Sequence, residues 1–216
     1  MTARDNILQR IRTETAGIAP LERPPVPEVW PATNPPRDEM VKCFADSLQL
    51  VQGELIRCDS MEDARAKLAE LIEQSQWSTI GSIDRPLCHE IAADLSPETV
   101  AWQRDDWPPA EIAELSAGLV SAEWLLADTG SCGVVCQTSE QRLMCYLPPA
   151  CVVVARADQL YEHMPAAWPE IAAATAEPDR RGEFVLITGP SRTADIEKIL
   201  ILGVHGPKRL VVMLID

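Results

Sequence analysis

The sequence lacks a segment that could cross a membrane, because none of its apolar runs approaches the roughly 20 residues that a spanning helix needs. It also lacks the apolar core of a signal peptide, since the N-terminal residues MTARDNILQRIR are charged and amphipathic. These two absences lead us to expect a cytoplasmic location.

The motifs of several large enzyme classes are absent as well. The chain contains no H-E-x-x-H motif, no Walker loop, no G-x-G-x-x-G loop and no Ser-His-Asp order. A self-contained hydrolase, metalloprotease, nucleoside triphosphatase or dinucleotide-dependent dehydrogenase therefore has no support from motifs.

Basic residues are scarce relative to acidic ones. With 19 Lys and Arg against 33 Asp and Glu, the formal net charge is −14, which disfavours nucleic acid and anionic membrane surfaces as partners. The deficit is uneven, because the segment from Asp179 to Asp216 holds six basic and five acidic residues. This last segment is the least acidic part of the chain and permits an anionic ligand.

The seven cysteines match no familiar metal motif. Cys132 and Cys136 are spaced C-x-x-x-C, with Cys145 and Cys151 nearby, unlike the C-x-x-C pairs of zinc sites or the cysteine runs of ferredoxins. An odd count in a cytoplasmic chain favours free thiols over a disulfide framework. We therefore interpret the cysteines as small core residues and predict no metal site in this chain.

The chain does contain an alternation of helical and strand patterns, with a hydrophobic content of 46%. A short N-terminal helix and a proline-rich stretch predict an arm at residues 1–36, followed by one α/β domain at residues 37–216. Short apolar runs such as Cys151–Ala155 predict a mostly parallel sheet with helices on both faces. Two apolar runs between Val134 and Tyr146, separated by polar residues, predict an antiparallel hairpin.

The most informative pattern lies in the last forty residues. The apolar run Phe184–Ile187 predicts a strand buried on both faces, and a helix is predicted over Ser191–Gly203. With a further strand at Leu210–Ile215 these elements form a β-α-β unit. A strand-to-helix turn attracts anions, because free backbone N–H groups and the helix dipole favour negative charge. The predicted ligand-binding residues here are Gly189, Pro190, Ser191, Arg192, Thr193 and Asp195.

A second turn follows the strand-like run Leu119–Ala127. In a doubly wound sheet both turns would open at the carboxyl edge and face one crevice. We take Asp128, at the end of a strand, as a stronger candidate for a catalytic acid than Asp195 or Glu197. His205, in a Gly-flanked turn, is a candidate acid or base near neutral pH. The residues of each turn are also compatible with a capped helix or with an ordinary turn that makes its own hydrogen bonds and binds no ligand. His205 is also compatible with a hydrogen bond to the backbone. The predicted ligand-binding residues of this turn are Thr129, Gly130 and Ser131.

These strings resemble those of a known family. The string GPSRTADIE, followed by GVHGP and a final apolar strand, resembles the C-terminal signature of the lactate utilization protein C family, the LUD-domain proteins. A second match runs from Ala127-Asp128-Thr129-Gly130-Ser131 through Arg142 and Leu147-Pro148 to the strand Cys151–Val154. Together the two matches cover roughly residues 119–216.

The resemblance implies both a fold and a role. The fold would be the one shared by glucosamine-phosphate isomerases, ribose-phosphate isomerases and CoA transferases. The role would be that of a subunit of the iron–sulfur L-lactate oxidation system, which converts lactate to pyruvate. This chain would bind a small carboxylate or phosphorylated ligand and hold no cofactor, while partner proteins carry the iron–sulfur clusters. A free-standing isomerase or acyl/CoA-transferase-like enzyme and a non-catalytic scaffold subunit are the alternatives.

Overall fold

The fold is given by a computed structural model that describes residues 2–18, 29–176, 184–194, 200–202 and 206–216. The chain divides into two compact units, Met1–Pro31 and Ala32–Asp216, so residues 32–36 go with the larger unit. The smaller unit contains helix α1 (Ala3–Thr15), which buries none of its residues. No helix in the described part of the chain is long and apolar enough to cross a membrane.

The described elements of the larger unit alternate along the chain. Its helices are α2 (Arg37–Leu50), α3 (Met61–Gln74), α4 (Pro86–Ala92), α5 (Pro109–Ala113), α6 (Ser139–Met144) and α7 (Met164–Thr175), with a short 3-10 helix at Ala157–Gln159. Its strands are β1 (Glu54–Cys58), β2 (Ile80–Ser82), β3 (Val100–Trp102), β4 (Ala117–Ser121), β5 (Trp124–Leu126), β6 (Ser131–Val134), β7 (Ala150–Arg156), β8 (Leu160–Tyr161), β9 (Val185–Ile187), β10 (Arg192–Ala194), β11 (Leu200–Leu202) and β12 (Arg209–Ile215).

Six of these strands form an entirely parallel sheet in the order β1-β12-β7-β4-β2-β3. Strands β4, β7 and β12 are buried along almost their whole length. Since successive side chains of a strand point to opposite faces, both faces of the sheet are covered there. Helices α3, α4 and α6 pack against these strands, and α2 packs against β1. The predicted α/β fold with a mostly parallel sheet is confirmed.

A smaller sheet of four strands has the order β8-β5-β6-β9. Strand β6 is antiparallel to both β5 and β9, whereas β5 and β8 are parallel. Strands β10 and β11 form a separate antiparallel pair. The four-stranded sheet carries both of the turns singled out in the sequence.

The predicted hairpin between Val134 and Tyr146 is wrong. Helix α6 occupies this stretch and is capped by Thr138, whose hydroxyl accepts a hydrogen bond from the Gln141 N–H. The antiparallel hairpin of the fold lies upstream, where β5 turns into β6. The single strand predicted over Leu119–Ala127 is in fact two strands, β4 and β5, which belong to different sheets.

The predicted helix over Ser191–Gly203 is also wrong where the structure describes it. Arg192–Ala194 and Leu200–Leu202 are strands that pair with each other. A short apolar run such as Leu200–Leu202 fits a helix or a strand equally well, and pairing across the ribbon decides between them. Strand β9 is antiparallel to β6 and leaves Leu186 exposed, so it is neither buried on both faces nor part of a β-α-β unit with β12.

Candidate functional site

The two turns lie side by side. The pairing of β6 with β9 places Ser131, the first residue of β6, next to Thr188, which follows β9. The hydroxyl oxygens of Ser131 and Thr188 are 2.7 Å apart, and the Ser131 hydroxyl donates to that of Thr129 at 2.8 Å. The Thr129 hydroxyl donates to the Asp128 carboxylate at 3.2 Å. A chain of hydroxyl groups therefore joins one turn to the other.

Glycine is required in each turn because the backbone leaves no room for a side chain. Gly130 has a φ of +64°, and a Cβ atom there would lie 2.4 Å from the backbone nitrogen of Leu48. Gly189 has a φ of +83°, and its Cβ atom would lie 2.7 Å from the carbonyl oxygen of Val51. A left-handed φ favours glycine, and these close approaches exclude larger residues. Both turns are thus fixed against the C-terminal end of α2.

This position differs from the one expected from the sequence. The C-terminal end of α2 leads directly into β1, so the two glycines pack at the amino edge of the parallel sheet. The expectation that both turns open at the carboxyl edge is wrong. The rule that places ligands at the carboxyl edge applies to turns that follow strands of the parallel sheet. Here the turns follow strands of the smaller sheet.

A cavity of about 200 Å³ lies beside the second turn. The turn supplies Thr188, Gly189 and Ser191 to its wall, and the Ser191 N–H is anchored by a 2.8 Å hydrogen bond to the Pro207 carbonyl. Other described lining residues are Leu186, Ile187, Gly206, Pro207 and Leu210, together with Cys145, Tyr146 and Cys151. Thr188 belongs to both the cavity wall and the hydroxyl chain.

The described wall of the cavity is uncharged at neutral pH. Burial raises the pKa of the Tyr146 phenol and raises the pKa of the Cys151 thiol to about 12. The pKa of Cys145 is raised by its hydrogen bond to Cys136 and by burial. The described wall therefore provides hydroxyl groups, thiols and apolar surface, and an anion bound there would be held by neutral hydrogen-bond donors.

The residues predicted from the sequence have different places in this arrangement. Gly189 and Ser191 line the cavity, Pro190 is buried between them, and Arg192 is exposed at the start of β10, to which Thr193 also belongs. Asp128 and Thr129 are exposed and Gly130 and Ser131 are buried, and none of these four lines the cavity directly. Asp195 and His205 lie outside the described residues.

Sequence reasoning missed several cavity residues. Thr188 belongs to the break after the predicted strand but is not among the predicted ligand residues, and the sequence places Cys145, Tyr146 and Cys151 in strands or in the core. These residues come from separate parts of the chain, and no local pattern connects them. The polar run Thr188-Gly189-Pro190-Ser191 after an apolar strand was the one local signal that could have included Thr188.

The cysteines are free, as predicted, with Cys43 exposed and the other six buried. Within the ranges that the structure describes, no group of three or more His, Cys, Asp or Glu side chains is arranged to hold a metal ion. The cysteines nearest the cavity therefore act in this structure as wall and core residues.

A family model describes the same region of the chain. The model of the LUD domain matches residues 41–215, which include both turns, the cavity and all strands of the two larger sheets. The chain belongs to the LUD domain family. The family assignment made from the GPSRTADIE and ADTGS strings is confirmed.

Individual relatives agree with the family assignment. The chain is 27% identical to an uncharacterized protein of Neisseria meningitidis, over 100% of this chain and 94% of that protein. It is 26% identical to Lactate utilization protein C of Bacillus pumilus, over 98% of this chain and 94% of that protein. A DUF162 family protein from Deinococcus radiodurans has a similar fold, with a TM-score of 0.65, 19% identity and coverage of 84% of this chain and 99% of the other.

Proposed function

We propose that this LUD domain protein is a subunit of the iron–sulfur L-lactate oxidation system, which converts lactate to pyruvate, and that it binds a small carboxylate in the cavity beside Gly189. The proposal is supported by several LUD-domain relatives that carry the name Lactate utilization protein C and align with most of the chain. The observation that carries it is the Thr188 hydroxyl, which belongs both to the cavity wall and to the hydroxyl chain joining the two turns.

The size of the cavity supports a small ligand. Pockets for drug-sized molecules measure roughly 300–1,000 Å³. At about 200 Å³ the cavity lies below this range and suits an acid of a few carbon atoms. A ligand that contains a nucleotide, such as coenzyme A, would have to lie largely outside it. This argues against the alternative of a CoA-transferase-like enzyme.

The chemistry of the wall supports a carboxylate over a phosphate dianion. A single negative charge can be held by the hydroxyl groups of Thr188, Ser191 and Tyr146, whereas a doubly charged phosphate would lose more hydration free energy on entering the same uncharged wall. The apolar residues Ile187 and Leu210 offer contact to the carbon atoms of the acid. Arg192 is exposed and follows Ser191 directly in the chain, so its planar guanidinium can contact a carboxylate as it enters or leaves the cavity.

The chemistry of lactate oxidation would be carried out with partner subunits. Oxidation of a hydroxy acid to a keto acid releases two electrons, and we propose that iron–sulfur clusters in the partner proteins accept them. The role of this chain is then to bind the acid and to hold it within the complex. Acid–base roles for Asp128 and His205 remain predictions of the sequence.

The binding site can be tested by calorimetric titration of the purified chain with L-lactate, pyruvate and inorganic phosphate. Thr188→Val keeps the shape of the side chain but removes the hydroxyl, and we expect affinity for the carboxylates to fall by about 5-fold, since a hydrogen bond contributes about 1 kcal/mol. Thr99→Val is a matched control, because the Thr99 hydroxyl also pairs with a serine hydroxyl, that of Ser96 at 2.9 Å. Its affinity should equal that of the wild type.

Arg192→Ala provides a second test of the same site. Because Arg192 is exposed, the variant should fold normally and bind carboxylates a few-fold more weakly, with an effect that shrinks as salt concentration rises. Failure of the wild-type chain to bind any of the three anions would refute the ligand proposal. Conversion of a substrate by the purified chain without partner proteins would instead favour the free-standing enzyme. Recovery from native cells without any iron–sulfur protein would contradict the subunit role.

A further inference from the structure

The residues that line the cavity beside Gly189 differ in how deeply they are buried. Cys145, Cys151 and Leu210 are at most 2% exposed. Tyr146, in contrast, is 40% exposed, and Thr188 is exposed as well. The described wall therefore has an inner end, formed by the two cysteines and the leucine, and an outer end that faces solvent.

The inner end is built on the amino edge of the parallel sheet. Leu210 of β12 is the register partner of Cys151 of β7, and Cys151 is in turn the partner of Gly118 of β4. Partnered residues of neighbouring strands point to the same face, so the side chains of Cys151 and Leu210 lie side by side. A Cβ atom at Gly118 would lie 2.4 Å from the carbonyl oxygen of Met144, the last residue of α6. The inner end thus belongs to the packed core.

The two ends of the cavity differ in chemistry. The hydroxyl groups of the described wall belong to Tyr146, Thr188 and Ser191, which are exposed or half-buried. The inner end offers two thiols and a leucine, and burial keeps the Cys151 thiol neutral by raising its pKa to about 12. A buried thiol is a weak hydrogen-bond donor and behaves as a small apolar group. A carboxylate is therefore held best at the outer end, and a hydrocarbon chain is held best at the inner end.

We propose that the cavity selects short-chain 2-hydroxy monocarboxylates, with the carboxylate at the outer end and the hydrocarbon tail against Cys151 and Leu210, and that it rejects dicarboxylates. This inference rests on the proposed function, because it assigns the orientation and the class of the acid bound at that site. The hydroxyl group of such an acid is next to its carboxylate, so both polar groups fit the outer end. A second carboxylate would lie against the inner end, where the described residues provide no cation.

The orientation can be tested on the wild-type chain by calorimetric titration with glycolate, L-lactate and L-2-hydroxybutyrate. These acids share the carboxylate and the hydroxyl group and differ only in the length of the tail. Each further CH2 group that is buried at the inner end should strengthen binding by about 4-fold. Malate carries a second carboxylate in place of the apolar tail, and it should bind at least about 10-fold more weakly than lactate.

Variants test which residue limits the tail. With longer acids the gain in affinity should stop when the tail reaches Leu210, and in Leu210→Val it should stop about one carbon later, because valine is the shorter residue. Leu119→Val is the matched control, since Leu119 is buried in the same sheet but pairs with Val152, one position further along β7, and so points to the other face. The control should leave the limit unchanged. Thr188→Val should weaken binding of every acid by the same factor, because it acts on the carboxylate end.

The outcomes separate this inference from the proposed function. If no acid of the series binds, both fail. If lactate binds but affinity does not rise with the length of the tail, or if malate binds as tightly as lactate, the orientation is wrong while the site itself stands. If Leu210→Val and Leu119→Val change the limit equally, the inner end does not contact the tail, and the inference is overturned as well.

Discussion

An inner strand of the six-stranded sheet and an edge strand of the four-stranded sheet bury their side chains to different extents. Strand β4 of the parallel sheet buries all five of its residues, so side chains on both of its faces are packed. Strand β9 at the edge of the smaller sheet buries Val185, half-buries Ile187 and exposes Leu186. Packing is therefore complete at the inner strand and incomplete at the edge strand. The cavity is lined from both sheets, because Cys151 of β7 and Leu210 of β12 are in its wall together with Leu186 and Ile187 of β9.

The sharpest test of this difference compares two leucines. Leu119 in β4 is 0% exposed and Leu186 in β9 is 42% exposed. Leu119→Ala should lower the free energy of unfolding by about 2–5 kcal/mol, because it leaves a cavity in a packed core. Leu186→Ala should lower it by less than about 1 kcal/mol. Denaturation with urea measures both, and equal losses would contradict this difference.

A second test asks whether the smaller sheet depends on its contact with α2. Gly130→Ala should lower the free energy of unfolding by about 2 kcal/mol or more, since the new Cβ atom combines a left-handed φ with a collision against Leu48. Gly130→Asn is the informative control, because asparagine accepts a left-handed φ better than alanine does. If collision dominates, both variants lose stability in urea denaturation. If only φ matters, the asparagine variant stays close to the wild type.

The smallest expected effect concerns an ion pair at the exposed end of the parallel sheet. Glu54 of β1 accepts two hydrogen bonds from Arg209 of β12, each 2.7 Å long, and these bonds lower the pKa of Glu54. A carboxyl whose pKa is lowered by folding adds stability above its unfolded pKa of about 4.3, and this stability is lost as the pH falls through the lower folded-state value. Because the side chain of Glu54 is 49% exposed, we expect less than about 1 kcal/mol.

The measurement is the difference in unfolding free energy between the wild type and Glu54→Gln from pH 7 to pH 3. The difference should be present at pH 7 and shrink below about pH 4. Glu98→Gln, at an exposed carboxylate on another part of the surface, is the control. If the difference in unfolding free energy does not change with pH, the Glu54–Arg209 pair contributes to stability through side-chain packing and not through its charge.

Several elements could be predicted because their signals are local. A serine followed three residues later by an acidic residue is a local signal for the start of a helix, and the Ser60 hydroxyl at the start of α3 accepts a hydrogen bond from the Asp63 N–H at 3.2 Å. The apolar runs that became β7 and β12 predicted buried strands, because a strand covered on both faces has no need of polar residues. The turns at Gly130 and Gly189 are recognisable in the sequence because each follows an apolar run and contains a glycine, and the structure adds that no side chain would fit at either position.

Other elements could not be predicted because their signals are not local. The Ser131–Thr188 contact joins residues 57 positions apart, and only the pairing of β6 with β9 brings them together. The run over residues 119–127 divides between two sheets because the Ala122 N–H bonds to Val154 and the Glu123 N–H bonds to Gly133.

The sequence by itself determined the α/β class and the two glycine turns, because apolar periodicity, caps and left-handed glycines act over a few residues. The LUD family followed from the resemblance of the GPSRTADIE and ADTGS strings. Only the tertiary structure decided which sheet carries those turns, at which edge they lie, and that Thr188, Tyr146 and Cys145 share one cavity. The reason is that a strand can exchange its hydrogen bonds with any other strand in the chain. The packing of the whole domain decides which strands pair, and the sequence of a single short segment does not show that pairing.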